Sequence, residues 1–192
     1  MAGCGYTIFD TAVGRCGIAW GDSGIVGVQL PEEREIETRR RMLRQYPDAR
    51  ELAPPPNVEM AIEGIATLLR GEGANLSEVA LDMNGIHAFN ARVYAFARTI
   101  PRGETRSYGE VATSLRASGA AHSVAQAISR NPFTIVVPCH RVLEAGGYAD
   151  RISPHGGTIS KRRLLSIEGA NMTFSKTLFD VLLPVAPPRP QG

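Results

Sequence analysis

Between Asn131 and Val142 the chain reads Asn-Pro-Phe-Thr-Ile-Val-Val-Pro-Cys-His-Arg-Val, and this run constrains the molecule more than any other. Residues 133–137 are apolar and mostly β-branched, which predicts a short buried strand that Pro138 brings to an end. Directly past that proline, where irregular backbone is expected, a thiol and an imidazole stand side by side. Cysteine attacks as the thiolate, so an adjacent group able to take its proton is what a reactive cysteine needs. An isolated Cys-His pair is more often a small buried side chain beside a structural histidine. The rest of the chain decides between the two.

The 192 residues suffice for one large or two small domains with a buried core. No stretch approaches the ~18 apolar residues of a membrane span, and the N-terminus lacks the basic-then-apolar layout of a signal peptide. Three cysteines at unrelated spacings suggest neither a disulfide framework nor a zinc site, and fit a cytoplasmic protein that relies on a free thiol. The net charge of +2 hides an asymmetry. Residues 1–88 carry 8 Lys/Arg against 13 Asp/Glu, whereas residues 89–170 carry 11 against 5. A basic module joined to an acidic one suits a domain that meets a polyanion.

Residues 6–9, 17–20 and 25–30 read as short strands separated by glycine turns, forming a small antiparallel sheet. Residues 32–45 are predicted to form a solvent-facing helix of mixed charge, Pro54-Pro55-Pro56 a rigid connection, and residues 58–69 an amphipathic helix. Residues 76–83 suit either a strand or a loop, and a boundary is expected near residues 84–87. Beyond it helices are predicted over 88–99, 107–118, 122–129 and 160–167. Ser107 and Glu110 have capping-box spacing, and the 107–118 and 120–129 segments form a helix-turn-helix pattern whose second helix would face a groove.

Pro138-Cys139-His140-Arg141-Val142, preceded at this distance by Asn131-Pro132, resembles the active-site signature of the O6-alkylguanine-DNA alkyltransferases. Three further blocks agree in order and spacing: the run from Phe89 to Val93 with that from Ile100 to Ala112, then Ala120 to Ile128, and Gly156-Gly157, Lys161 and Leu164 to Gly169. The resemblance covers about residues 89–170 and is loose before that, around residues 9–14. It implies an α+β protein. A small ribonuclease-H-like α/β domain (1–84) would precede a mostly helical, winged-helix-like catalytic domain (85–170) and a tail (171–192).

The activity the resemblance implies is DNA repair by single-turnover transfer. A methyl or larger alkyl group on the O6 oxygen of guanine, and in a wider range on O4 of thymine, would pass to Cys139 after the base is flipped out through the minor groove. In that scheme His140 takes the thiol proton through a water, Glu168 orients the imidazole, Tyr108 donates to the departing guanine, and Asn131 braces the turn. Ala121, Ser123 and Ala125 would lie against the minor groove, His122 would fill the gap left by the flipped base, and Arg130 and Asn90 would contact phosphates. Val142 belongs to the pocket, with Tyr148 or Ile152 as its aromatic or aliphatic wall. The implied partner is double-stranded DNA, met by a monomer without a cofactor.

Two departures bear on function. His122 occupies the place of the family's arginine, and imidazole is shorter and mostly neutral at pH 7. The loop over 144–155 places Tyr148 earlier and Ile152 where the aromatic is expected. Gly21 and Val26 replace the cysteine and histidine that some relatives use with Cys4's counterpart to bind zinc, and Cys16 reads as core, so no metal is expected. Two other classes remain: a lesion-binding sensor that does not transfer, against which Cys139 argues, and a cysteine hydrolase, for which no oxyanion donors are evident.

Overall fold

The computed structural model describes residues 4–145, 159 and 161–170. Tyr148, Ile152 and residues 171–192 therefore lie outside the described residues. The chain is mixed α+β. Strand β1 (Gly5–Thr11) pairs antiparallel with β2 (Gly14–Gly21), β2 with β3 (Gly24–Gln29), and the two-residue β4 (Arg50–Glu51) lies parallel to β1, giving the order β3-β2-β1-β4. The two tight turns end on Gly14 and Gly24, both at positive φ. Gly24 is also sterically bound to its place, because a Cβ there would stand 2.6 Å from the Ala80 carbonyl oxygen.

Period-two alternation along β2 divides its side chains between two cores. Cys16, Ile18 and Trp20 enter the main core, and Ala19 joins a smaller cluster with Tyr6, Met42 and Ala49. Helix α1 (Glu35–Gln45) supplies Met42 to the smaller cluster and is otherwise largely solvated, close to expectation, although it begins three residues later than the charge pattern suggested. Helix α2 (Pro56–Leu69) buries Val58, Ala61, Ile65 and Leu68 in the main core. Its first residue is the last of the three prolines, whose missing N–H costs nothing at that position. Residues 76–83 resolve as a loop that touches β3 through a single bridge between Ile25 and Leu81.

The second half contributes α3 (Ala88–Arg98), β5 (Arg106–Ser107), α4 (Tyr108–Ser114), α5 (Ala121–Ser129), β6 (Val142–Leu143) and α6 (Lys161–Glu168). The Ser107–Glu110 capping box forms in both directions. Helix α4 stops at Ser114, four residues short of the predicted end, and Arg116 and Gly119 at positive φ turn the chain into α5. Val93, Tyr94, Val111, Val124 and Ile128 join Ile18, Ile25 and Ile65 in one continuous apolar cluster. Among the described residues no helix is long and apolar enough to cross a membrane.

The largest correction concerns residues 133–137. Their β-branched composition suggested a strand, yet they form a tight turn with Ile135 in the left-handed region at φ 74. Only isolated bridges remain, Val28 to Phe133 and Thr134 to Val137. A β-branched residue with that backbone is strained by roughly 1–3 kcal/mol and persists only where its surroundings dictate it.

Candidate active site

Asn131 dictates that turn. It is fully buried, its Nδ2 donates to the Val137 carbonyl at 3.0 Å, and its Oδ1 accepts from the Phe133 N–H at 2.9 Å. Val137 N–H closes the loop on the Phe133 carbonyl at 2.7 Å, while Val28 of β3 donates to the Pro132 carbonyl at 2.8 Å. Asn131→Ala leaves a buried donor and a buried acceptor unpaired, at about 1–3 kcal/mol for each. Chemical denaturation should show a loss of stability in that range or above, with Asn131→Asp recovering only the acceptor.

The turn delivers Cys139 to the start of a single 3-10 turn, Cys139–Arg141. Cys139 is wholly buried, and burial pushes its thiol up from the ordinary value. The Lys161 charge, a hydrogen bond from the Asn131 side chain and backbone hydrogen bonds pull the other way without overcoming it. The resting sulfur is therefore a thiol, and its activation needs a base.

His140 is 2% exposed, and its Nε2 lies 2.7 Å from Glu168 Oε1. Its Nδ1 is buried and has no hydrogen-bond partner among the described residues. Burial lowers the imidazole pKa, outweighing the attraction of Glu168. A neutral ring with its proton on the Nε2 side facing the carboxylate leaves a basic lone pair on Nδ1.

Glu168, at the end of α6, is gripped from a second side by Arg141. Arg141 Nε donates to both carboxylate oxygens at 3.2 and 3.0 Å, Nη2 to Oε1 at 2.8 Å, and Nη1 to the Ile100 carbonyl at 2.6 Å. Burial alone would raise the Glu168 carboxyl, but hydrogen bonds from His140 and Arg141 hold it down to about 2. The acid is thus a fixed anion behind the imidazole.

The two-stranded pairing of β5 with β6 sets Ser107 against Leu143, so Tyr108, the first residue of α4, begins its helix beside the segment that follows Cys139. Lys161 is 2% exposed, donates to the Val142 carbonyl at 3.0 Å and to Tyr108 Oη at 3.3 Å, and stands 5.6 Å from the Tyr108 ring centre. Sequence reasoning assigned no role to Arg141 or Lys161. A lysine and an arginine flanking the buried residues Val142, Ile159, Leu164 and Leu165 were the available signal.

Of the residues expected to meet DNA, His122 and Ser123 are exposed on α5, and Ala121 and Ala125 half-buried. Arg130 is exposed just past the helix end, and Asn90 half-buried near the start of α3. A cleft of about 630 Å3 is lined by Tyr108, Ala121, His122, Ala125, Gln126 and Glu144. Cys139, Arg130 and Asn90 do not line it.

Comparison with known proteins places this arrangement. A profile described as the 6-O-methylguanine DNA methyltransferase DNA-binding domain matches residues 88–170. A methylated-DNA--protein-cysteine methyltransferase of Mycobacterium tuberculosis is 38% identical over 163 residues, covering 83% of this chain and 96% of that one. The chain belongs to the methylated-DNA--protein-cysteine methyltransferase family. Its fold is similar to that in the crystal structure of M. tuberculosis O6-methylguanine methyltransferase, at a TM-score of 0.66 and 32% identity over 86% of this chain and 92% of that one. The similar M. tuberculosis OGT in complex with DNA gives a TM-score of 0.63 at 31% identity, over 86% and 93% of the two chains. The profile match takes in Tyr108, Asn131, Cys139, His140, Lys161 and Glu168, the methyltransferase family's region of this chain.

Proposed function

We propose that this chain repairs DNA by taking a methyl or small alkyl group from the O6 oxygen of guanine, irreversibly, onto Cys139. The observation that carries the reading is a buried thiol next to a buried neutral imidazole whose Nδ1 has no partner among the described residues while its Nε2 is pinned to an ionised carboxylate. That is a proton acceptor held in one tautomer, as the triad logic requires. The thiol proton passes to His140 Nδ1 through a water, and the sulfur electron pair forms the S–C bond. The C–O bond breaks, and its electron pair stays with guanine. The Tyr108 hydroxyl, supported by Lys161, donates to the guanine ring and makes it a better leaving group. The product is a thioether, so each molecule acts once and needs no cofactor.

Duplex DNA is the proposed partner. The basic charge of residues 89–170 supports this, as do the small side chains Ala121, Ser123 and Ala125 on α5 and the similar protein solved in complex with DNA. The base would be extruded through the minor groove, with Arg130 and Asn90 on phosphates, Val142 in the pocket, and O4-alkylthymine as a second substrate. The reading carries a finer architecture with it as part of the proposal: a ribonuclease-H-like part over 1–84 and a winged-helix-like part over 85–170, acting as a monomer. Incubation with a duplex containing O6-methylguanine, followed by intact mass and peptide mapping, tests the proposal. A gain of one methyl group on Cys139 is expected. Tight lesion binding with unchanged mass would leave a sensor instead.

A further inference from the structure

On α5 four of the six residues that face outward are small: Ala121, Ser123, Ala125 and Ser129. Two exceptions stand on one side of the helix, one turn apart, at His122 and Gln126. Both are exposed, both line the cleft that also holds Tyr108, and Gln126 Nε2 lies 3.0 Å from His122 Nε2. Amide nitrogen only donates, so the ring nitrogen accepts, and the imidazole is held as the tautomer with its proton on Nδ1.

We infer that Gln126 is a positioning residue: it fixes the orientation of His122, the side chain that the family resemblance sets in the gap left by a flipped base, so that the two form one hydrogen-bonded wedge. The inference rests on the proposed use of α5 as the DNA-facing helix. An extruded base leaves a gap and an unpaired partner, and proteins that unstack DNA fill such gaps with a side chain. Alone, an imidazole is short and free to swing about two torsions. Tied to a residue one helical turn away, it presents a fixed plane to the orphaned base. The neighbouring alanines and serines let the helix come close enough for this pair to reach the stack.

Base extrusion can be read without transfer. In the Cys139→Ser background, a duplex carrying 2-aminopurine beside O6-methylguanine brightens when the lesion unstacks. Gln126→Ala should lower that signal's equilibrium constant about fivefold, the size of one net hydrogen bond. His122→Ala should lower it at least as much. The double variant should match His122→Ala within about twofold, because the two act as a unit. Gln126→Met, which keeps length and loses the hydrogen bond, should behave like Gln126→Ala. With Cys139 restored, Gln126→Ala should slow transfer from duplex by the same factor and leave transfer from the free base O6-methylguanine unchanged.

Independent, multiplying losses, a wild-type signal from Gln126→Met, or an equal loss on the free base would overturn the wedge. Failure of the unsubstituted protein to gain a methyl group from the O6-methylguanine duplex would instead count against the proposed transfer, and the fluorescence comparison would still decide the wedge.

Discussion

A Cys139→Ser protein should bind the lesion and never gain the methyl group. The serine hydroxyl holds its proton far more tightly than the thiol, and a neutral imidazole cannot remove it at a useful rate. Transfer is expected to fall on the order of 10³-fold or more. The other thiols are poor substitutes. Burial pushes Cys16 up to about 12, and burial also raises Cys4, which sits half-buried outside the described active-site cluster. Peptide mapping after prolonged incubation checks this, and methyl found on Cys4 or Cys16 would reassign the acceptor. A hydroxyl in this fully buried place costs roughly 1–3 kcal/mol, so Cys139→Ala serves as the companion that separates lost chemistry from lost fold.

The second large effect is expected at Glu168. Glu168→Gln removes the charge that satisfies Arg141, a side chain only 10% exposed, and breaking a buried pair from one side costs about 3–5 kcal/mol. Single-turnover transfer, measured at a temperature where the variant stays folded, should also slow about 10²-fold because the imidazole loses its anchor. Acid titration distinguishes the two partners of this pair. The His140 pKa is depressed below its ordinary 6.5, so below that value the unfolded chain binds a proton that the native one refuses, and stability falls with pH. The Glu168 pKa is depressed from 4.5 to about 2, so the same sign applies between those values and a second decline follows there. Urea denaturation across pH should show both stages in the wild type and a smaller lower stage in Glu168→Gln, the remainder belonging to Glu35, Glu37 and Glu110, whose carboxyls are also held down by hydrogen bonds. A lower stage that the substitution leaves unchanged would show that those other carboxylates cause it.

Much of this site was legible in the chain. Cys139 and His140 are adjacent, Ser107 and Glu110 announce a helix start by local spacing alone, and the three N-terminal strands are short runs set off by glycine turns. What failed was whatever depends on distant partners. Residues 133–137 have strand composition, but β-propensity measures fit to neighbours, and here the neighbours are an asparagine that captures both ends of the segment. Two prolines only six residues apart, at 132 and 138, were the local hint of a turn. Arg141 and Lys161 meet their partners across 27 and 53 residues, at Glu168 and Tyr108, and no periodicity records such pairings. Helix α4 was overextended because residues 115–118 carry no proline, and the left-handed Arg116 cannot be read from residue type.

The outer side of β3 has a consequence for the whole molecule. An edge strand offers unpaired backbone groups to any other chain, and proteins guard such edges with charge, proline or a covering loop. Here the covering is done by Ala80 and Asp82, which bond to Ile25, and by Pro132, which accepts from Val28. Pro132 belongs to the segment that carries the thiol. The stretch that positions the nucleophile is thus also a cork on the sheet, and loosening it bares a sticky margin that the folded protein otherwise keeps from its neighbours.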